Sequence, residues 1–246
     1  MGRVLSGYGI DDVMSTVFRD QHGCWGFLEL WRSGRAFTAQ ERELLGRLGR
    51  VVTPALRRSL ARTFARLGST ELHWWREPVA LLLSEDLQPL TQAPQTDAYL
   101  RALLPTDAER APVPAGAYNV AAQLLAQEEG GDAHAPSARV HLRDGLWVTL
   151  RAAQMAATST LAGASIAVSI EPTPPVERTA LYAPVVGLSE RETELLHHLV
   201  GGSDTHELAR RPFLSEHTVQ DHLKSVVAKT GTNNRRVLVA RATGAG

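Results

Sequence analysis

The chain has a single cysteine, Cys24, in 246 residues. That excludes an internal disulfide and any zinc site built from several cysteines. No window offers the roughly 18 consecutive apolar residues of a membrane span. The N-terminus, MGRVLSGYGIDD, has no positive stretch leading into an apolar run, so a signal peptide is not expected. There is no P-loop, no Gly-x-Gly-x-x-Gly turn and no serine nucleophile elbow. His197-His198 and the pair His217/His222 miss the i, i+4 spacing of a helical metal site. Cys24 lies two residues from His22, but in a turn with no third group to orient them, so a turn histidine and a half-buried cysteine are the simpler account. No enzyme, metal or cofactor is expected. With 43% hydrophobic and 21% charged residues, the composition is that of a globular chain, and a cytoplasmic protein without membrane contact is expected.

Lysine is nearly missing too. Lys224 and Lys229 are the only two, and both lie near the C-terminus. The formal net charge is zero, but it is unevenly spread. Residues 1–76 carry 12 arginines against 7 acids, residues 77–187 carry 6 against 12, and residues 188–246 carry 8 basic against 7 acidic side chains. From 208 onward there are 7 bases and 2 acids, a local excess suited to phosphate or to a solvated surface.

Along the chain, Val17 and Phe18 precede a polar turn at Asp20–Gly23, and Trp25, Phe27, Leu28 and Leu30 follow, which reads as a β-hairpin. Thr38 and Glu41 form a capping box ahead of Leu44, Leu45, Leu48, Val51, Val52, Leu56, Leu60, Phe64 and Leu67. That spacing predicts one long amphipathic helix, which Pro54 should kink or interrupt. Such a helix suits pairing with a partner copy as well as packing on its own domain. Trp74-Trp75 reads as core or linker packing more readily than as a ligand wall. Pro78–Gln92 predicts two strands around Ser84–Asp86, Asp97–Leu104 and Gly116–Gln127 two helices, and 126–132 a loop. Ala138–Leu142 and Leu146–Met155 predict a hairpin across Arg143-Asp144-Gly145, and Ser165–Ile170 a last strand. The prolines at 172, 174 and 175 are taken to deny a helix and mark a linker.

From Leu188 the pattern is helical. Ser189 and Glu192 form a second capping box before Leu195, Leu196 and Leu199, and Gly201-Gly202 ends that helix. Asp204 and Glu207 repeat the arrangement, Pro212-Phe213-Leu214 interrupts, and Ser215 caps a helix holding Val219, Leu223, Val226 and Val227. Gly231 closes it, and Asn233 or Asn234 opens a last helix with Val237, Leu238 and Ala240. Four short helices with sharp stops, the third rich in polar and basic groups, make a helix-turn-helix plan. Its reading helix enters the major groove, and its N-terminus offers N–H groups and hydroxyls to phosphate.

The ordered set Leu188-Ser189-x-Arg191-Glu192-x-Glu194, Gly202, Glu207-Leu208-Ala209, Leu214-Ser215, Thr218-Val219-x-x-His222, Val226, Lys229, Gly231, Arg235 and Leu238-Val239-Ala240 resembles the C-terminal DNA-binding domain of LuxR-family regulators over nearly all of 188–242. The resemblance implies double-stranded DNA as partner. Thr218, Lys229 and Arg235 would touch the DNA backbone, and Gln220, Asp221 and Lys224 would face base edges. Ser215, His217 and Val219 complete the candidate DNA set. The last helix, through Val237, Leu238 and Arg241, would pair two copies into a homodimer. Val219 also reads as core support and His222 as a packed histidine, while Asp221 must accept from a cytosine amine or pair with a neighbouring base. Pro212 stands where the family usually has leucine, and Asn233-Asn234 replaces a more basic stretch.

Upstream, FRDQHGCWGFLELWR with FTAQERELLGRLGRVVTPALRRSL is similar to the C-terminal half of a GAF-like sensor domain of such regulators, and 77–171 is similar to their PAS-like domain. Met1 then reads as a late start or a truncation, and the first segment would not close a ligand pocket alone. The expected architecture is multidomain. An α+β sensor-like region comes first, with a partial GAF-like segment at 1–76 and a PAS-like antiparallel sheet with helices at 77–171. A linker at 172–187 and an all-α four-helix helix-turn-helix domain at 188–246 follow. The expected function is a dimeric, sequence-specific transcriptional regulator reading the major groove with helix 215–230 under control of an unidentified small-molecule or protein effector. The alternative is an interaction module that titrates a larger homologue through its long helix without binding DNA.

Overall fold

The computed structural model describes residues 9–65, 77–103, 115–131, 133–142, 145–156, 165–203 and 216–244. The chain divides into two compact units, Met1–Phe64 with Thr179–Ala242, and Ala65–Arg178 with Thr243–Gly246.

In the first unit, β1 (Asp12–Asp20) pairs antiparallel with β2 (Gly23–Arg32). The Asp20–Gly23 turn is locked from both sides. Asp20 accepts from the His22 N–H at 2.8 Å and from Arg57 at 3.1 Å. Burial opposes the charge on Asp20, but the His22 N–H and the Arg57 guanidinium still hold its carboxyl below the usual value. The helix α1 (Ala39–Thr63) begins with the expected capping box between Thr38 and Glu41. Arg32 grips Glu41 with two bonds of 2.8 and 3.0 Å, and this pairing, with the Thr38 N–H, brings the Glu41 carboxyl down to about 2. Pro54 lies inside the helix and removes one ladder donor, yet the helix continues to Thr63. Leu67 and Trp74-Trp75 lie outside the described residues. One face of α1 covers the hairpin, so closely that a Cβ on Gly26 would stand 3.5 Å from Leu56 Cδ1. Leu44, Leu48 and Val51 form a second apolar stripe that stays exposed.

The second unit is a five-stranded antiparallel sheet in the order β4-β3-β7-β6-β5. The strands are β3 (Val79–Ser84), β4 (Pro89–Gln92), β5 (Ser137–His141), β6 (Trp147–Met155) and β7 (Ser165–Pro172). Two helices follow from the predicted patches, α2 (Thr96–Leu103) and α3 (Ala115–Glu128). The helix α3 takes in the start of the expected 126–132 loop, and Arg143-Asp144 of the expected hairpin turn lie outside the described residues. Strand alternation sends Val79, Leu81, Leu83, Val148, Leu150, Ala152, Ile166, Val168 and Ile170 to one face. There they form one core with Tyr99, Leu100, Ala117, Val120, Ala121 and Leu124 of the helices. Where α3 lies on β6, a Cβ at Gly116 would meet Leu150 Cδ2 at 3.1 Å, so a side chain there would have to push Leu150 aside by a few tenths of an ångström.

The proline segment differs from expectation. Pro175–Val185 is a helix, α4, and not an extended linker. Pro175 occupies its first position, where no N–H is required and the fixed φ suits the turn. The Pro174 carbonyl accepts from the Arg178 N–H at 2.9 Å. Glu177 in the first turn is clamped by Arg139 at 2.7 Å and Arg151 at 2.6 Å, and Arg151 also pairs with Glu171. Within the first unit, Tyr182 of α4 meets Phe64 with ring centroids 5.3 Å apart. No described helix is long and apolar enough to cross a membrane.

Candidate nucleic-acid interface

Three described helices build the C-terminal part of the first unit: α5 (Glu190–Val200), α6 (Glu216–Thr230) and α7 (Arg235–Thr243). Asp204–Ser215, including Pro212 and the Ser215 cap, lie outside the described residues. Gly187, at φ 76°, makes the turn from α4 into α5 in a backbone region that side chains disfavour.

The helix α5 starts with the expected capping box. Ser189 Oγ accepts from the Glu192 N–H at 3.4 Å, and Glu192 accepts from the Ser189 N–H at 2.6 Å. Glu192 does more than cap. Its carboxylate is 3% exposed and also accepts from Ser225 Oγ and from Lys229 Nζ, each at 2.6 Å. Burial works to raise its pKa, but Lys229, the Ser189 N–H and Ser225 together bring it down to about 2. This one carboxylate ties α5 to α6. The sequence shows the capping half of its role through the spacing of three. The tertiary half depends on residues 33 and 37 positions away, and no local pattern reports them.

Val219 and Val226 are fully buried on the inner stripe of α6, with Leu223 and Val227 half-buried. Val219 is thereby removed from the candidate base readers, because its side chain has no surface to offer. The opposite face carries His217, Gln220, Asp221 and Lys224, all exposed, with Thr218 and His222 half-buried. Asp221 sits between His217 Nε2 at 3.4 Å and the Lys224 ammonium at 3.3 Å. The expectation that Asp221 pairs with a neighbouring base is met by Lys224.

Two residues expected on the DNA backbone are occupied within the fold. Lys229 is committed to Glu192, and an Arg235 Nη donates to the Ser203 carbonyl at 2.7 Å. Moving Lys229 to a phosphate would strand a buried carboxylate, so its first role is structural. Of the expected pairing residues on α7, Leu238 is fully buried and cannot face a second copy. Val237 is half-buried, and Arg241 donates to the Thr230 carbonyl at 3.0 Å. Asn234 caps this helix through the Val237 N–H at 2.9 Å, and Gly231, at φ 60°, ends the one before it. No group of three or more His, Cys, Asp or Glu able to hold a metal ion occurs among the described residues.

Residues 186–242 match the family model described as bacterial regulatory proteins, luxR family. Among solved structures, the crystal structure of the phage VqmA-DPO complex is similar at 16% sequence identity, covering 72% of this chain and 86% of that chain with a TM-score of 0.30, too low to bear on the fold. No curated protein matches the chain.

Proposed function

From the premise that residues 186–242 form a DNA-binding domain of the luxR family of bacterial regulatory proteins, we propose that the chain is a sequence-specific transcriptional regulator that acts as a homodimer and reads the major groove with α6. The observation that carries this reading is the division of α6. Its apolar stripe and Lys229 are spent on the fold, and its other face leaves His217, Gln220, Asp221 and Lys224 in solvent. A groove about 12 Å wide admits such a helix. Gln220 suits adenine and Lys224 suits guanine, while Asp221 holds Lys224 and His217 in place or accepts from a cytosine amine. Thr218, with Ser215 before it, supplies the phosphate contacts at the helix start. Lys229 and Arg235 belong to the scaffold that presents this face.

The upstream region is read as GAF-like at 1–76 and PAS-like at 77–171, biasing the DNA-binding domain in response to an effector. The five-stranded antiparallel sheet with α2 and α3 on one face supports the PAS-like part. The test is selection of binding sites from random duplex by the whole chain and by Lys224→Ala and Gln220→Ala. Lys224→Ala should weaken binding and change the selected bases, and Gln220→Ala should relax one position. Variants that select the parent's site with the parent's affinity would remove α6 from the groove.

The alternative, an interaction module that pairs with a larger homologue, draws on the exposed Leu44, Leu48 and Val51 stripe of α1. It requires that the folded whole chain bind no duplex at all.

A further inference from the structure

The β1–β2 hairpin packs one face in part against α1, with Leu28 and Leu30 on it still 36% exposed, and leaves the other face exposed among the described residues. Phe18 and Gly26 point toward α1, where Gly26 approaches Leu56. Alternation therefore sends Val13, Ser15, Val17 and Arg19 of β1 to the other side. The register sets them against Trp31, Glu29, Phe27 and Cys24 of β2. That outer face consists of two apolar rows, Val13 with Trp31 and Val17 with Phe27, alternating with Ser15 opposite Glu29 and, beyond a register shift between Phe18 and Arg19, Arg19 opposite Cys24. Val17 is 53% exposed, Phe27 74% and Trp31 58%. Together the two rows expose on the order of 400 Å² of apolar side chain, a patch size that is often functional on soluble proteins. Among the described residues, neither Arg19 nor Glu29 has an ion-pair partner. The Glu29 carboxylate only accepts from Ser15 at 3.4 Å.

We propose that this outer hairpin face docks against the same face of a second copy of the chain, with Arg19 of each copy paired to Glu29 of the other. A two-fold axis lying across the strands at the Val17–Phe27 row stacks that apolar row on itself. The same operation sets the Ser15–Glu29 row of one copy against the Arg19–Cys24 row of its partner. Because β1 then lies over the partner's β1, Arg19 faces the partner's Ser15 and lies diagonally across from the partner's Glu29, within reach of the long arginine side chain, twice by symmetry, and Trp31 lies over the partner's turn. With the axis moved to either polar row, like charges would face each other, so the charges disfavour those registers. The inference rests on the homodimer reading and assigns its contact to the hairpin, since Leu238 of α7 is spent on the core.

The test is sedimentation of the whole chain over about 1–100 μM, without DNA, so that its outcome is independent of operator binding. The parent should dimerise. Phe27→Asp should be monomeric at every concentration, with unchanged far-UV circular dichroism because Phe27 contributes to the bare face. Arg19→Glu and Glu29→Arg should each weaken dimerisation by about tenfold, and the double exchange should restore it, because in a two-fold contact the swapped charges meet again. A parent that is monomeric throughout would overturn the proposal. So would a dimer that Phe27→Asp and both charge reversals leave intact, which would place the contact elsewhere and still leave the DNA-binding reading standing.

Discussion

Removing the Glu192 carboxylate is the most informative perturbation of the C-terminal helices. The group is 3% exposed and receives three bonds of 2.6 Å, from the Ser189 N–H, Ser225 Oγ and Lys229 Nζ. Breaking a buried ion pair from one side costs about 3–5 kcal/mol. The Lys229 side chain is 39% exposed and can turn to water, so the expected loss for Glu192→Ala lies at the lower end, about 3 kcal/mol. The proton linkage gives a similar figure. A carboxyl held at about 2 instead of 4.5 contributes about 3 kcal/mol of stability at neutral pH. The sign follows from the lowered value. The contribution is complete above 4.5, declines as the pH falls, and is gone below about 2. Glu192→Gln keeps an acceptor and loses the charge, so it should cost about half as much and abolish this pH dependence. The assay is amide exchange of the whole chain, followed on peptides spanning 190–200 and 216–230 and corrected for intrinsic rates. Glu192→Ala should lower protection there by about a hundredfold. Protection within threefold of the parent, or a parent profile flat between pH 5 and 2.5, would refute the assignment of Glu192 as the tie between α5 and α6.

Three further outcomes follow from the geometry. Lys229→Ala should cost the same helices about 3–5 kcal/mol in the same exchange assay, because it strands the buried Glu192; a DNA-binding defect without that loss would return Lys229 to the phosphate backbone. Glu177→Gln should destabilise the second unit by about 1 kcal/mol in urea, modestly because Arg139, Arg151 and Glu177 all remain partly solvated. Gly116→Val should cost about 2 kcal/mol, since Leu150 already stands 3.1 Å from a Cβ there and β-branching cannot be absorbed between α3 and β6.

The hairpin, the two capping boxes and the alternating strands were legible in the sequence because each is fixed by neighbours within a few residues. Thr38 with Glu41 and Ser189 with Glu192 announce helix starts at a spacing of three, and both helices begin there. The segment after Pro172 was misread because proline density was weighed without position. Pro175 at the first turn favours the helix that the same residue would break three positions later. At the candidate interface, the exposure of Gln220, Asp221 and Lys224 followed from helical periodicity. The engagement of Lys229 and Arg235 did not, because their partners Glu192 and Ser203 are brought to them only by packing. A basic residue in a motif reads the same whether it serves a phosphate or a buried carboxylate.

The central claim is that the exposed face of α6 reads DNA sequence. Its most direct measurement is binding of the whole chain to duplex selected from a random pool, compared with unselected duplex at about 50 and 200 mM salt. The account predicts affinity for the selected duplex at least about a hundredfold above the unselected pool, falling steeply with salt in both cases. Equal affinity for every duplex, or none at all while the amides of α5 to α7 remain protected, would contradict it.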